Sequence, residues 1–165
     1  MKKRETHTFD APIDQVWAMV TDPASHVAKA ERAGHDNVEI VEEDVVDDRI
    51  RIRIARDVTL ELPGFAKKVL SPKNHIISTD EWSDNGDGTY GGTFTTQFKD
   101  GAPVDLKGTT LIAPDGDDKT TYEVEIQLSI KVPMLGKKLE NWAETDVEEQ
   151  IRNEFAAGDE WLAKR

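Results

Sequence analysis

Three features of the sequence predict an α+β fold in which one long helix lies across a curved antiparallel sheet. Residues 137–165 repeat apolar side chains at three- and four-residue spacing: Leu139, Trp142, Ala143, Val147, Ile151, Phe155, Gly158 and Leu162. That period places them on one face of a helix, and such a face needs a broad apolar surface to lie against. The preceding segments alternate with a period of two, the pattern of strands with one buried face. Turn signals at Asp84-Asn85-Gly86-Asp87-Gly88, Asp100-Gly101 and Pro114-Asp115-Gly116-Asp117-Asp118 join these segments as hairpins, which makes the sheet antiparallel. Space left between helix and sheet would form a pocket.

Residues 3–9 read as the first strand, ended by Asp10-Ala11-Pro12, with Asp10 expected to cap and Pro12 to open a helix. Ile13, Val16, Trp17 and Val20 share one face of that helix. Thr21-Asp22-Pro23 breaks it, because the residue before proline is driven out of the helical region. A second short helix is expected from residue 23 to about residue 33, closed by Gly34. Strands follow at 37–46 and 49–62; in the latter, Ile50, Ile52, Ile54, Val58, Leu60 and Leu62 all fall on even positions. Pro63-Gly64-Phe65-Ala66-Lys67-Lys68-Val69-Leu70 interrupts the alternation as a turn or short helix. Strands resume at 75–83, 89–99, 103–113 and 119–132, the last alternating Tyr122, Val124, Ile126, Leu128, Ile130 and Val132 with polar residues. The order is strand, two helices, six strands, long helix, in one domain spanning residues 1–165. A seven-stranded antiparallel sheet wrapped around a C-terminal helix is the helix-grip arrangement.

Composition narrows the functional classes. A formal charge of −12 and a pI near 4.7 argue against general affinity for nucleic-acid backbone, which needs clustered Lys and Arg. With no cysteine there is no disulfide framework and no thiol chemistry. The basic start, Met1-Lys2-Lys3-Arg4, has no apolar stretch behind it and no run approaches membrane-spanning length, so a cytoplasmic location is expected.

Local phrases carry a family resemblance. Val16-Trp17-Ala18-Met19-Val20-Thr21-Asp22-Pro23, Leu62-Pro63-Gly64-Phe65-Ala66, Glu81-Trp82, Lys131-Val132-Pro133-Met134-Leu135-Gly136-Lys137-Lys138-Leu139-Glu140 and Glu160-Trp161-Leu162 resemble an uncharacterised family of START-like proteins. Its superfamily, SRPBCC, also holds polyketide cyclases, aromatases, lipid-transfer domains and the birch-pollen-allergen group. The resemblance covers essentially the whole chain. It implies a hydrophobic cavity between helix and sheet and brings no assigned reaction with it.

Several residues are candidates for chemistry in such a cavity. Arg56 shares the even phase of its strand, and an inward guanidinium would hold a ligand carboxylate or phosphate in a bidentate pair; a bulge at residues 55–57 would instead turn it outward. Asp80 is in phase with Ile76 and Trp82, as a raised-pKa acid or base, as an ion-pair partner of Arg56, or facing water after a register shift. Trp82, Tyr90, Phe94, Phe98, Tyr122 and Trp142 fall on faces directed toward the long helix, where they either line a cavity or fill it. His7, His26, His35 and His75 lack metal-site spacing. Residues 84–88 suggest a calcium loop, but the twelfth position is Phe94 and they read as a hairpin turn. The glycines at 86, 88, 91 and 92 precede no helix and cradle no phosphate.

The leading expectation is non-enzymatic binding, or transport, of a hydrophobic or amphipathic small molecule such as a lipid or polyketide-like compound. Arg56, Trp82, Tyr90, Phe94, Phe98, Tyr122 and Trp142 would line the site, Arg56 and Tyr90 as polar anchors, with no metal and no cofactor, and access through residues 63–72 or the start of the long helix. One alternative is a cyclase, aromatase or hydrolase using Asp80 or Tyr90. Another is a protein-interaction module presenting Glu140, Glu144, Glu148 and Asp159 to a basic partner. The two loops with paired lysines, at 63–68 and 133–138, are candidates for transient contact with an anionic membrane without stable insertion.

Overall fold

Period-two alternation builds seven strands, and the computed structural model, which describes residues 1–165, joins them in one antiparallel sheet. In chain order the elements are β1 (Lys2–Phe9), α1 (Ile13–Val20), α2 (Pro23–Arg32), β2 (Asp36–Val46), β3 (Arg49–Thr59), β4 (Lys73–Asp84), β5 (Tyr90–Phe98), β6 (Val104–Asp115), β7 (Lys119–Ile130) and α3 (Gly136–Ala163). The sheet order is β1-β7-β6-β5-β4-β3-β2, so β1 and β2, consecutive among the strands, occupy opposite edges. The two short helices span the distance between them. This is the expected helix-grip fold.

The helix boundaries follow from local chemistry. Asp22 caps α2 by accepting from Ala24 N at 2.9 Å, Pro23 opens it, and Gly34, with φ of 82°, ends it while His35 N bonds back to Ala30 O. At α1 the start differs from expectation. Pro12 is the N-cap in extended conformation, and its carbonyl accepts from Gln15 N and Val16 N, so Asp10 makes no cap. β3 stops at Thr59, three residues early, because Leu60 N turns to Pro72 O at 2.7 Å. β7 likewise stops early, at Ile130. Residues 63–70 form consecutive turns that bury Ala66 and Leu70.

Register fixes what faces the helix. From β3 to β7, one inward row reads Ile52, Asp80, Phe94, Gly108 and Ile126; the next toward the Thr59 end of β3 reads Ile54, Ser78, Thr96, Leu106 and Leu128. Arg56 lies one row further, beside Ile76 and Phe98. β3 and β4 pair without a register shift from Ile50 to Thr59, so no bulge turns Arg56 outward.

Two apolar clusters hold the layers together. One gathers Phe9, Val16, Trp82, Ile112, Tyr122 and Val124 beneath α1. The other sets Leu139, Ala143, Val147 and Ile151 of α3 against Ile126, Leu128 and Ile130, and Phe94 and Phe155 pack against both. Close approach needs Gly158, where an added Cβ would stand 2.6 Å from Phe9 Cε1. Glu140, Glu144, Glu148 and Asp159 do not form a free acidic face. They are drawn onto β1 by Met1, Lys3 and His7, at 2.7–2.9 Å, because α3 crosses above that edge strand.

Candidate ligand cavity

The inward rows and α3 do not close completely on one another. They leave a cavity of about 180 Å³ bounded by β3–β7, α2 and the middle of α3. Its lining includes the exposed residues Ala33 and Gln150, so it opens between the end of α2 and α3. One wall is apolar, with Phe94, Phe98, Leu106, Ile126 and Ile151. Gly108 lets this wall lie flat: a Cβ there would stand 2.4 Å from Phe94 Cζ.

The rest of the lining includes polar and charged groups. Arg56 reaches in from β3, and its Nε donates to His35 Nδ1 at 3.0 Å. Burial, together with the neighbouring guanidinium, pushes the His35 imidazole down to about 4, so the ring is a neutral acceptor that orients Arg56. Burial also lowers the guanidinium's own pKa, with Asp80 opposing. Neither Nη of Arg56 has a protein acceptor, and neither is fully enclosed.

Asp80 and Glu154 are each tied to helix side chains. His26 Nε2 donates to Val20 O at 2.8 Å, which leaves Nδ1 facing Asp80 Oδ2 at 3.2 Å. Burial works to raise the Asp80 pKa, but the His26 hydrogen bond and the charges of His26, Lys29 and Arg56 outweigh it and hold the carboxyl below its ordinary range. The close partner of Asp80 is therefore His26; Arg56 acts on it from beyond pairing distance. Glu154 Oε1 accepts from Tyr122 OH at 2.8 Å and Lys29 Nζ at 3.1 Å. Burial and the Glu154 charge push the Tyr122 phenol well above its ordinary value, so it stays a donor. Burial would lower Lys29, but Glu154 and Asp80 keep it above the ordinary lysine range.

The structure gathers only some of the sequence-selected residues here. Arg56, Trp82, Phe94 and Phe98 line the cavity. Tyr122 lies behind it, in a smaller recess of about 40 Å³ that shares His26, Lys29, Asp80, Trp82 and Glu154. Tyr90 stacks on Trp17 at 4.1 Å, and Trp142 packs on the flank of α3 against the second cluster; neither lines either space. His26, Lys29, His35 and Glu154 were not selected as site residues. Pro23, His26 and Ala30, the buried stripe of α2, are the signal that marks its inward face.

A family model described as a protein of unknown function, DUF2505, matches residues 4–162. The chain belongs to this family. Among solved structures, the DUF2505 chain resembles the ZhuI aromatase/cyclase from Streptomyces sp. R1128, with a TM-score of 0.70 and 18% identity over 100% of this chain and 94% of that one. A protein from Thermus thermophilus gives 0.69 and 16%, covering 99% and 98% of the two chains. The human StarD13 lipid transfer and protein localization domain gives 0.60 and 12%, covering 96% and 75%. These likenesses establish the START-like helix-grip fold. No curated protein matches the chain by sequence.

Proposed function

We propose that the protein binds a compact amphipathic molecule bearing an anionic group, and does so without transforming it. The observation that carries this reading is the Arg56 guanidinium, fixed through Nε by a neutral histidine and lining a cavity that is otherwise largely apolar, with neither Nη taken by a protein acceptor. Charge pairing supports it. Lys29 is taken up by Glu154 and Asp80 faces His26, which leaves the Arg56 guanidinium as a lining cation with no carboxylate at pairing distance. A carboxylate meets such a fork in a bidentate pair. Phe94, Phe98, Leu106 and Ile151 would take the apolar body.

Cavity size selects the ligand class. A volume of about 180 Å³ is close to the roughly 150 Å³ that accommodates a benzene-sized guest and below the roughly 300 Å³ where drug-sized sites begin. A ring-sized acid fits. The titratable groups favour binding over proton transfer, since Asp80 is held below and Tyr122 above the values useful to an acid or base near neutrality.

Titration calorimetry with 2-naphthoate and its neutral counterpart 2-naphthalenemethanol tests the reading. Arg56→Gln should weaken the acid by roughly 10- to 100-fold, the scale of a charge-assisted pair, and leave the alcohol nearly unaffected. Trp142→Ala should change neither. Equal losses for acid and alcohol, or no preference for the acid in the unmodified protein, would overturn it.

A further inference from the structure

The strongest feature outside the cavity is a basic, apolar-tipped surface on a chain whose net charge is −12. Two segments build it: the turns at 63–70, and the connection at 131–138 between β7 and the first turn of α3. They meet directly, with Lys138 Nζ lying 4.2 Å from the centre of the Phe65 ring. Phe65, Val69, Val132 and Leu135 anchor both segments on the second apolar cluster.

Lys67, Lys68, Lys131, Lys137 and Lys138 are all exposed. The lysine ion pairs of this chain use Lys2, Lys3 and Lys29, so none of these five is held in an ion pair. The carboxylates on the flanking sequence are Glu61 and Glu140, and Glu140 is taken up by the Met1 ammonium and Ile130 N. Among the lysines stands Met134. Its side chain is fully exposed, and it holds φ of 69°, a left-handed conformation that a residue other than glycine seldom adopts. The turn thus projects an exposed apolar side chain between Lys131 and Lys137.

We infer that this face docks the protein on an anionic lipid surface, with the five lysines against headgroup phosphates and Met134 reaching the acyl boundary. Lysines attract acidic leaflets only within a Debye length, and one apolar side chain adds a shallow, reversible anchor. Charge complementarity selects this partner over a basic or neutral one. The inference stands apart from what the cavity holds. Leu60, at the edge of the 60–72 connection, also lines the cavity, so the docked face adjoins its wall.

The test is flotation of the full chain with phosphatidylcholine vesicles, with and without roughly 30% phosphatidylglycerol, at low salt. Binding is expected only to the anionic vesicles, and to fade above about 0.5 M NaCl as charges are screened. The pairs Lys67→Gln with Lys68→Gln and Lys137→Gln with Lys138→Gln should each lower partitioning roughly thirtyfold. Met134→Asp should lower it several-fold. Lys107→Gln with Lys119→Gln, at exposed positions elsewhere on the sheet, should leave it unchanged. Absence of anionic-vesicle binding, or equal loss in the control pair, overturns the inference. Loss with the lysine pairs but none with Met134→Asp would overturn the anchoring role given to Met134.

Discussion

Replacing Glu154 by Ala should destabilise the fold by about 3 kcal/mol, and replacing it by Gln by about 1 kcal/mol. One carboxylate oxygen, Oε1, accepts from both Tyr122 OH and Lys29 Nζ. Tyr122 is 3% exposed, so losing its only acceptor leaves a buried hydroxyl unsatisfied, at about 2 kcal/mol. Lys29 and Glu154 side chains are 31% and 25% exposed, so the stranded ammonium costs about 1 kcal/mol, well below the roughly 3–5 kcal/mol of a fully buried pair. The Glu154→Gln variant would still offer Tyr122 an amide oxygen and lose only the ionic part. For a chain of this length each kcal/mol moves the melting temperature by roughly 2–4 °C, so Ala should lower it by about 6–12 °C and Gln by about 2–4 °C. Thermal unfolding followed by circular dichroism, with urea unfolding as a check, reads both. An Ala effect no larger than that of Gln would refute the claim that Glu154 serves the hydroxyl and the ammonium together.

Gly158→Val should destabilise by about 1–3 kcal/mol through overpacking against Phe9 and Met19, measured as a lower urea midpoint; an unchanged midpoint would mean the helix can lift away without cost. His35 should titrate near 4 in a proton NMR series, far below an ordinary histidine. Because its folded value is depressed, it contributes stability that is complete above about pH 6.5 and is lost as pH falls from there toward 4. A midpoint between 6 and 7 (roughly an unperturbed histidine) would show that the ring does not serve Arg56 as a neutral acceptor.

The fold was legible because its signals are local and redundant. The α3 stripe names its inward face, and Leu139, Ala143, Val147 and Ile151 are all buried. The even phase of β3 and the Asp80 phase of β4 survive in the register, which puts Arg56 inside. The cavity was legible only in part. Alternation tells which face of a sheet a residue occupies and says nothing of its depth along the strand, which is why Tyr90, at the far end of β5, stacks on Trp17 instead. Trp142 belongs to the helical stripe, yet it lies on the flank. Glu154 was hidden for another reason. A carboxylate among apolar helix positions gains its meaning from Lys29 and Tyr122, which are 125 and 32 positions away. His26 and Lys29 share this difficulty, since nothing adjacent in sequence announces their partners.

The strand order also governs when the cavity can exist during synthesis. β1 is made first, yet it pairs only with β7, Lys2 against Gln127, and α2 delivers Lys29 to a glutamate in the last helix. As the chain leaves the ribosome, the hairpins from β2 to β7 can form in succession from near neighbours. The opening 35 or so residues must wait for long loops to close around them, a slow step. The α2 side of the cavity, with His26, Lys29 and the following His35, is therefore translated early and seated last, and a ligand that holds Arg56 and His35 in place would favour the final docking of a segment otherwise left searching for its sheet edge.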